Sequence, residues 1–191
     1  MNIFSRRLCS FLKKPLLLLV MALILVPATG SCESLRNDKI KAGFTYRFIL
    51  FSQWPETAFL ANPTQFVIGI IGQSPFNGFF EQVLEKPVDG RKLVIRQLTT
   101  LSSVEEFRTC QVIFVHDAKA STIPALLQKL DGAPVLTISD TPDFLEEGGM
   151  IAFFYRRNRI RFMVHKQRAN RVGLHFRAQM LKMATHVVED E

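Results

Sequence analysis

The sequence predicts an α/β fold: an open, mostly parallel sheet with helices on both faces, followed by a C-terminal β-hairpin and a long terminal helix. Three observations predict it. Short, almost wholly apolar runs such as Phe66 to Ile71 and Cys110 to Val115 mark strands buried on both faces. Helix-length segments separate these runs, and strand, helix, strand in succession implies right-handed crossovers. After Gly148-Gly149, two runs of alternating character flank a short polar turn, which is a hairpin pattern.

Along the chain, residues 1–30 come first and read as a cleavable export signal. Arg6, Arg7, Lys13 and Lys14 precede an apolar run from Leu16 to Val26, and small residues follow from Pro27 to Ser31. Eleven apolar residues fall short of the roughly 20 that a membrane-spanning helix needs. Residues 31–38 are expected to be a flexible start, and residues 39–188 one domain, since a chain of this length buries a sizeable core by itself. Without the first 30 residues the formal charge falls from +7 to +3. A charge of that size with no clustered basic helix does not point to nucleic acid.

The domain opens with a helix capped by Asn37 or Asp38, in which Ile40, Phe44, Phe48 and Phe51 recur on one face until Trp54-Pro55. The strand Phe66 to Ile71 stops at Gly72. There follow a helix near Phe76 to Leu84, a strand Lys92 to Gln97, a short helix near Ser103 to Phe107 and the strand Cys110 to Val115. A helix from about Ile123 to Leu130, the strand Pro134 to Ile138 and a turn or short helix near Pro142 to Glu146 complete the alternation. The hairpin pairs Met150 to Tyr155 with Arg159 to Val164. Its Arg156, Arg157, Arg159 and Arg161 have two readings, a charged edge that discourages sheet-to-sheet association or a docking surface for an acidic partner.

The last helix is expected over about Gln167 to Val188. Its apolar positions, with Leu174 and Leu181 widening the stripe and Arg177 interrupting it, cover an arc near 200°. That is wide for a helix lying on a sheet. Either the helix is deeply enclosed or the face around Leu174, Arg177 and Leu181 meets a second subunit.

Catalytic motifs are missing: the sequence has no Gly-x-Ser-x-Gly, His-Glu-x-x-His, Cys-x-x-Cys or P-loop, and His116, His165, His175 and His186 lack metal-ligand spacing. No metal, cofactor or catalytic residue is expected. A ligand pocket has some support, because strand carboxyl ends converge in an open α/β sheet, and polar groups sit there: Ser74, His116, Ser139 and Asp140. The same residues also suit plain turns. Outside the export signal two cysteines remain. Cys32 has three readings: the lipidated first residue of a lipoprotein, a free thiol, or a partner for Cys110.

The stretch Lys41-Ala42-Gly43-Phe44-Thr45-Tyr46-Arg47-Phe48 through Trp54-Pro55, then Gly72 with Pro75-Phe76, then Cys110 to Val115, resembles the YfiR/HmsC family of bacterial periplasmic proteins. Val135 to Asp140 with Phe144, Gly148 to Ile151 and the Arg161-Phe162 strand extend that resemblance over nearly all of residues 39–188. It implies regulation: a soluble, typically dimeric periplasmic protein that binds the periplasmic sensor region of an inner-membrane diguanylate cyclase and holds its GGDEF domain inactive, restraining biofilm formation. Membrane contact would come only through the partner or a lipid on Cys32. Gly69 stands where some relatives place a cysteine facing Cys110, so redox control is not implied for this chain. Arg47 and Gln167 stand where relatives often have Asn, or Asn or Asp. The alternative reading is a periplasmic module that binds a small anion for another membrane receptor.

Overall fold

The computed structural model describes residues 30–74, 76, 86–116 and 118–189, with side chains from Arg36 onward. The export signal, the side chain of Cys32, Asp117 and all but Phe76 of the expected helix near Phe76 to Leu84 lie outside the described residues. In chain order the elements are α1 (Gly30–Leu50), β1 (Ser52–Gln53), a 3₁₀ turn (Glu56–Phe59), β2 (Gln65–Ile71), β3 (Lys92–Leu98), α2 (Val104–Arg108) and β4 (Val112–Val115). They continue with a second 3₁₀ turn (Ala120–Thr122), α3 (Ile123–Lys129), β5 (Leu136–Ser139), β6 (Ile151–Arg156), β7 (Arg159–His165), α4 (Lys166–Arg171), β8 (His175–Phe176), α5 (Ala178–Met183) and β9 (His186–Val188). Residues Leu35–Glu191 form one compact unit.

Seven strands make one sheet in the order β3-β2-β4-β5-β6-β7-β9. The first five are parallel, β7 runs antiparallel to β6, and β9 runs parallel to β7. From β2 the chain goes outward to β3 and then returns past β2 to β4. The connections therefore reverse direction between β2 and β4, which is the topological switch point of this sheet.

Strand periodicity sorts the core into two layers. Phe66, Ile68, Ile70, Val112, Phe114, Leu136 and Ile138 face α1 and the hairpin's Phe153 and Phe162. Val67, Ile71, Ile113, Val115 and Val135 face α2, α3 and Phe144 on the other side. Both sets are buried, so neither face of β2, β4 or β5 is open to solvent, while the outer strand β3 is partly exposed. Helix α1 seats on its layer through aromatic contacts, Phe48 to Phe162 at 4.7 Å between ring centroids and Phe44 to Phe162 at 5.4 Å. Helix α2 begins with a reciprocal capping box, in which Ser103 and Glu106 satisfy each other's backbone N–H groups.

Three expectations are corrected. Helix α1 starts at Gly30, so Asn37 and Asp38 lie within it and do not cap it. Its buried face is centred on Ala42, Thr45, Phe48 and Ile49, and Ile40 is 37 % exposed. The third correction concerns the terminal segment, which is not one helix over Gln167 to Val188. It is two short helices, α4 and α5, and two strands, β8 and β9.

The cause of that break is local. Gly173 adopts φ 77°, its N–H donates to Asn170 O at 3.0 Å, and the Leu174 N–H donates to Ala169 O at 2.9 Å. These two bonds, with Ala169 and Leu174 both fully buried, form a Schellman stop. The chain then turns back so that β8 pairs with β1, and β9 closes the sheet beside β7. The wide apolar arc therefore came from winding strand residues onto a helix. Leu174 is a core residue with no surface to offer a partner, and Leu181 is half-buried against the same core.

The stop makes a prediction. Gly173→Ala should lower stability in urea by about 1–2 kcal/mol, the cost of an L side chain at left-handed dihedrals. The added Cβ would also meet Pro55 Cγ at 3.3 Å. Gly173→Asn should lose less, since Asn tolerates that conformation. Unchanged stability in the alanine variant would contradict the role given to this turn.

Candidate functional site

The carboxyl ends of β2, β4 and β5 lie side by side at one edge of the sheet. Gly72, His116 and Asp140 each stand one residue past or next to a strand end there. By strand alternation His116 follows Phe114 and Asp140 follows Ile138, so both side chains point to the α1 layer. Helix α1 brings Lys41 to the same place, because Lys41 lies seven residues before Phe48 and so on the same face of the helix.

The result is a three-membered cluster on one oxygen. Lys41 Nζ donates to Asp140 Oδ2 at 2.5 Å, and His116 Nδ1 lies 2.6 Å from that oxygen. The side chains of Lys41, Asp140 and His116 are 7 %, 11 % and 21 % exposed. Burial by itself pushes the Asp140 carboxyl pKa upward. The hydrogen bonds from His116 and Lys41, with the Lys41 charge, overcome burial and hold it at about 2. Asp140 is thus ionised at neutral pH and can only accept. His116 must then carry its proton on Nδ1, which leaves the Nε2 lone pair as the ring's open position.

Around His116 the sheet edge is concave. A recess of about 410 Å³ is lined by Gly72, Gln97, Thr99, Thr100, His116, Lys119 and neighbouring residues, and lies at the switch point between β2 and β4. A smaller recess of about 210 Å³ is lined by His116, Ala118, Asp140, Thr141 and Pro142. The two share His116 and Ala118. A Cβ at Gly72, whose φ is 91°, would collide with the His116 carbonyl oxygen, so glycine is needed where β2 meets this edge. Larger recesses elsewhere, of about 480 and 550 Å³, have no buried charged side chain in their walls.

Of the four pocket residues the sequence singled out, His116 and Asp140 meet. Ser139 faces inward, donating to Val115 O at 2.9 Å and accepting from Thr141 N at 3.0 Å, so it fastens the turn. Ser74 accepts from Phe76 N at 3.3 Å in a local turn and lines neither recess. Lys41, Thr141 and Lys119 were not anticipated, although the helical position of Lys41 on the Phe48 face was a readable signal. The hairpin arginines Arg156, Arg157, Arg159 and Arg161 are all exposed, and Arg156 stands directly opposite Arg159. Arg177 is exposed and precedes α5.

An Asp-backed histidine is the arrangement of a general base. Among the described residues, no hydroxyl or thiol is hydrogen-bonded to the His116 ring. Cys110 is a free, buried thiol whose pKa burial pushes up to about 11. At neutral pH it is therefore held in its unreactive form.

The Asp140 cluster has a signed pH dependence. Because the folded pKa is depressed from 3.8 to about 2, its contribution to stability is complete above pH 4 and is lost as pH falls through 2. The contribution is on the order of 2 kcal/mol. In urea titrations, the gap in stability between the natural protein and Asp140→Asn should therefore be constant above pH 4 and narrow toward pH 2. A gap that does not change over this interval would refute the pairing.

Comparisons with known proteins bear on the identity of this chain. The sequence profile of a family described as YfiR/HmsC-like matches residues 38–185. A search of curated proteins finds no match. Among solved structures, a conserved domain protein from Vibrio cholerae O1 biovar El Tor superposes with a TM-score of 0.52 at 13 % identity, covering 79 % of this chain and 60 % of that one. The ABC domain in complex with L-Trp from Streptococcus pneumonia gives a TM-score of 0.46 at 15 % identity, covering 66 % and 56 %. This chain spans less than two thirds of either structure, and the first likeness concerns the fold alone. The profile match covers more than half of the sequence, and the chain belongs to the YfiR/HmsC-like family.

Proposed function

We propose that this protein is a periplasmic repressor that binds the periplasmic sensor region of an inner-membrane diguanylate cyclase, lowers cyclic di-GMP output and restrains biofilm formation. The family match over residues 38–185 carries this reading. Among the described residues no helix is long and apolar enough to cross a membrane, which is compatible with a protein that reaches the bilayer through its partner.

In physical terms the repressor must bind the inactive state of the cyclase more tightly than the active one. To move a partner from almost wholly active to almost wholly inactive, the preference must reach roughly 10⁴-fold. The hairpin arginines are the surface we assign to that contact. Only the first part of β6 pairs with β5, and only the last part of β7 pairs with β9, so among the described residues the arginine end has no strand neighbour outside the hairpin. Like charges facing each other across Arg156 and Arg159 destabilise the free hairpin. An acidic partner would relieve that repulsion. A homodimer is proposed from the family resemblance alone.

Deleting the protein should raise cyclic di-GMP, and deleting the cognate cyclase as well should abolish the rise. An unchanged level in the single deletion would remove the repressor reading. Arg159→Glu should weaken binding to the cyclase's periplasmic region while leaving the thermal midpoint equal or higher, because it converts a repulsive cross-strand pair into an attractive one worth about 0.2–1 kcal/mol. Undiminished binding by Arg159→Glu together with Arg161→Glu would move the docking surface elsewhere.

A further inference from the structure

The groove around His116 is unused by the reading above. It runs along the carboxyl edge of the sheet, through the switch point, as two recesses joined at His116 and Ala118. We propose that it is a binding site for a small oxyanion, a metabolite presenting a carboxylate or a phosphate, held by Lys119 and by His116 Nε2, which takes up a proton from solvent as the anion binds and donates it to the ligand.

Three observations converge on this. Ligands of open α/β sheets bind outside the strand carboxyl ends where the connections reverse, and this groove occupies that place. Its histidine is preset: Asp140 fixes the Nδ1 proton, so Nε2 is directed away from the carboxylate, and it makes no hydrogen bond with a described residue.

Charge sets the sign of the ligand. The described charged groups around His116 are Asp140 from the end of β5, Lys41 from α1 and Lys119 from the loop after β4. Asp140 and Lys41 neutralise each other. Lys119 forms no ion pair with a described residue, so among the described residues the charge left over in the groove is positive. Two of the other polar walls are already committed: Gln97 Nε2 donates to Gly72 O, and Thr122 Oγ1 donates to Lys119 O. A bound oxyanion would favour the protonated imidazole, coupling binding to proton uptake.

The site is independent of the cyclase, so it is tested on the purified protein with succinate and inorganic phosphate as separate probes. The His116 ring resonances should shift saturably with at least one of them. Lys119→Ala, at an exposed position, should weaken binding up to roughly five-fold, the upper range for an exposed ion pair. His116→Gln should abolish the proton uptake. Response to one probe alone would tell a carboxylate ligand from a phosphate ligand. No response of His116 to either probe, or binding that both variants leave unchanged, would overturn the proposal, and neither result would touch the repressor reading.

Discussion

A lysine with 7 % of its side chain exposed dictates much of this architecture. An ammonium removed from water must be paired, because an isolated buried charge costs several kcal/mol. Lys41 can meet Asp140 only if α1 lies on the sheet with the Ala42 and Phe48 side inward and its axis close to the ends of β4 and β5. The aromatic contacts of Phe44 and Phe48 with Phe153 and Phe162 supply most of the attraction, but aromatic faces slide at modest cost. The ion pair removes that freedom and sets the register of the helix. It also sets the tautomer of His116, since the same carboxylate oxygen serves both neighbours.

The opposite end of the sheet is held by a second buried polar group. Gln111 is fully buried, yet its amide is satisfied on both sides: Oε1 accepts from Val67 N at 2.7 Å and Nε2 donates to Ala58 O at 2.6 Å. Its backbone carbonyl also accepts from Trp54 Nε1 at 3.1 Å. One side chain thus ties the 3₁₀ turn after α1 to the amino ends of β2 and β4. Between them, Gln111 and the Lys41 cluster clamp the α1 segment to both edges of the parallel strands. The apolar layers in between can then pack without specifying position by themselves.

The parts of the fold that a single sequence reveals are those with a strict period. The buried strands Phe66 to Ile71 and Cys110 to Val115 stood out because both faces of a parallel strand are apolar, and the hairpin because one face is not. Arg157 and Asn158 carry the positive φ values of a two-residue turn, in agreement with the polar turn expected there. The terminal segment misled because residues 167–172 and 178–183 are separately helical, and joining them assumed that Gly173 was passive. Gly173 after Arg171 was in fact a stop signal of ordinary strength. At the site, His116 and Asp140 were legible as polar residues at strand ends. The place of Lys41 on the Phe48 face of α1 was legible, but its partner was not, because Asp140 lies 99 residues away and only the fold brings the two together. Ser139, one residue from Asp140, faces the other way, a difference that strand alternation predicts once the strand's limits are known.

Packing also bears on Gly69, the position at which the family resemblance raises a second cysteine facing Cys110. That glycine sits beside Cys110, and a Cβ built on it would lie 3.1 Å from Cys110 Sγ and 2.6 Å from Leu98 Cδ1. The neighbourhood that would receive a second thiol is therefore already filled by Leu98, and Cys110 remains buried among apolar residues as a weak donor to Glu106 O. A residue larger than glycine would require Leu98 to change rotamer at the end of β3, next to the recess that Leu98 helps to line. Filling this core with an aliphatic side chain thus removes a redox handle from the inner layer and supports one wall of the groove at the sheet's edge. At that edge the Asp140 carboxylate holds the His116 Nδ1 proton, so packing of the inner layer and orientation of the imidazole meet in one wall.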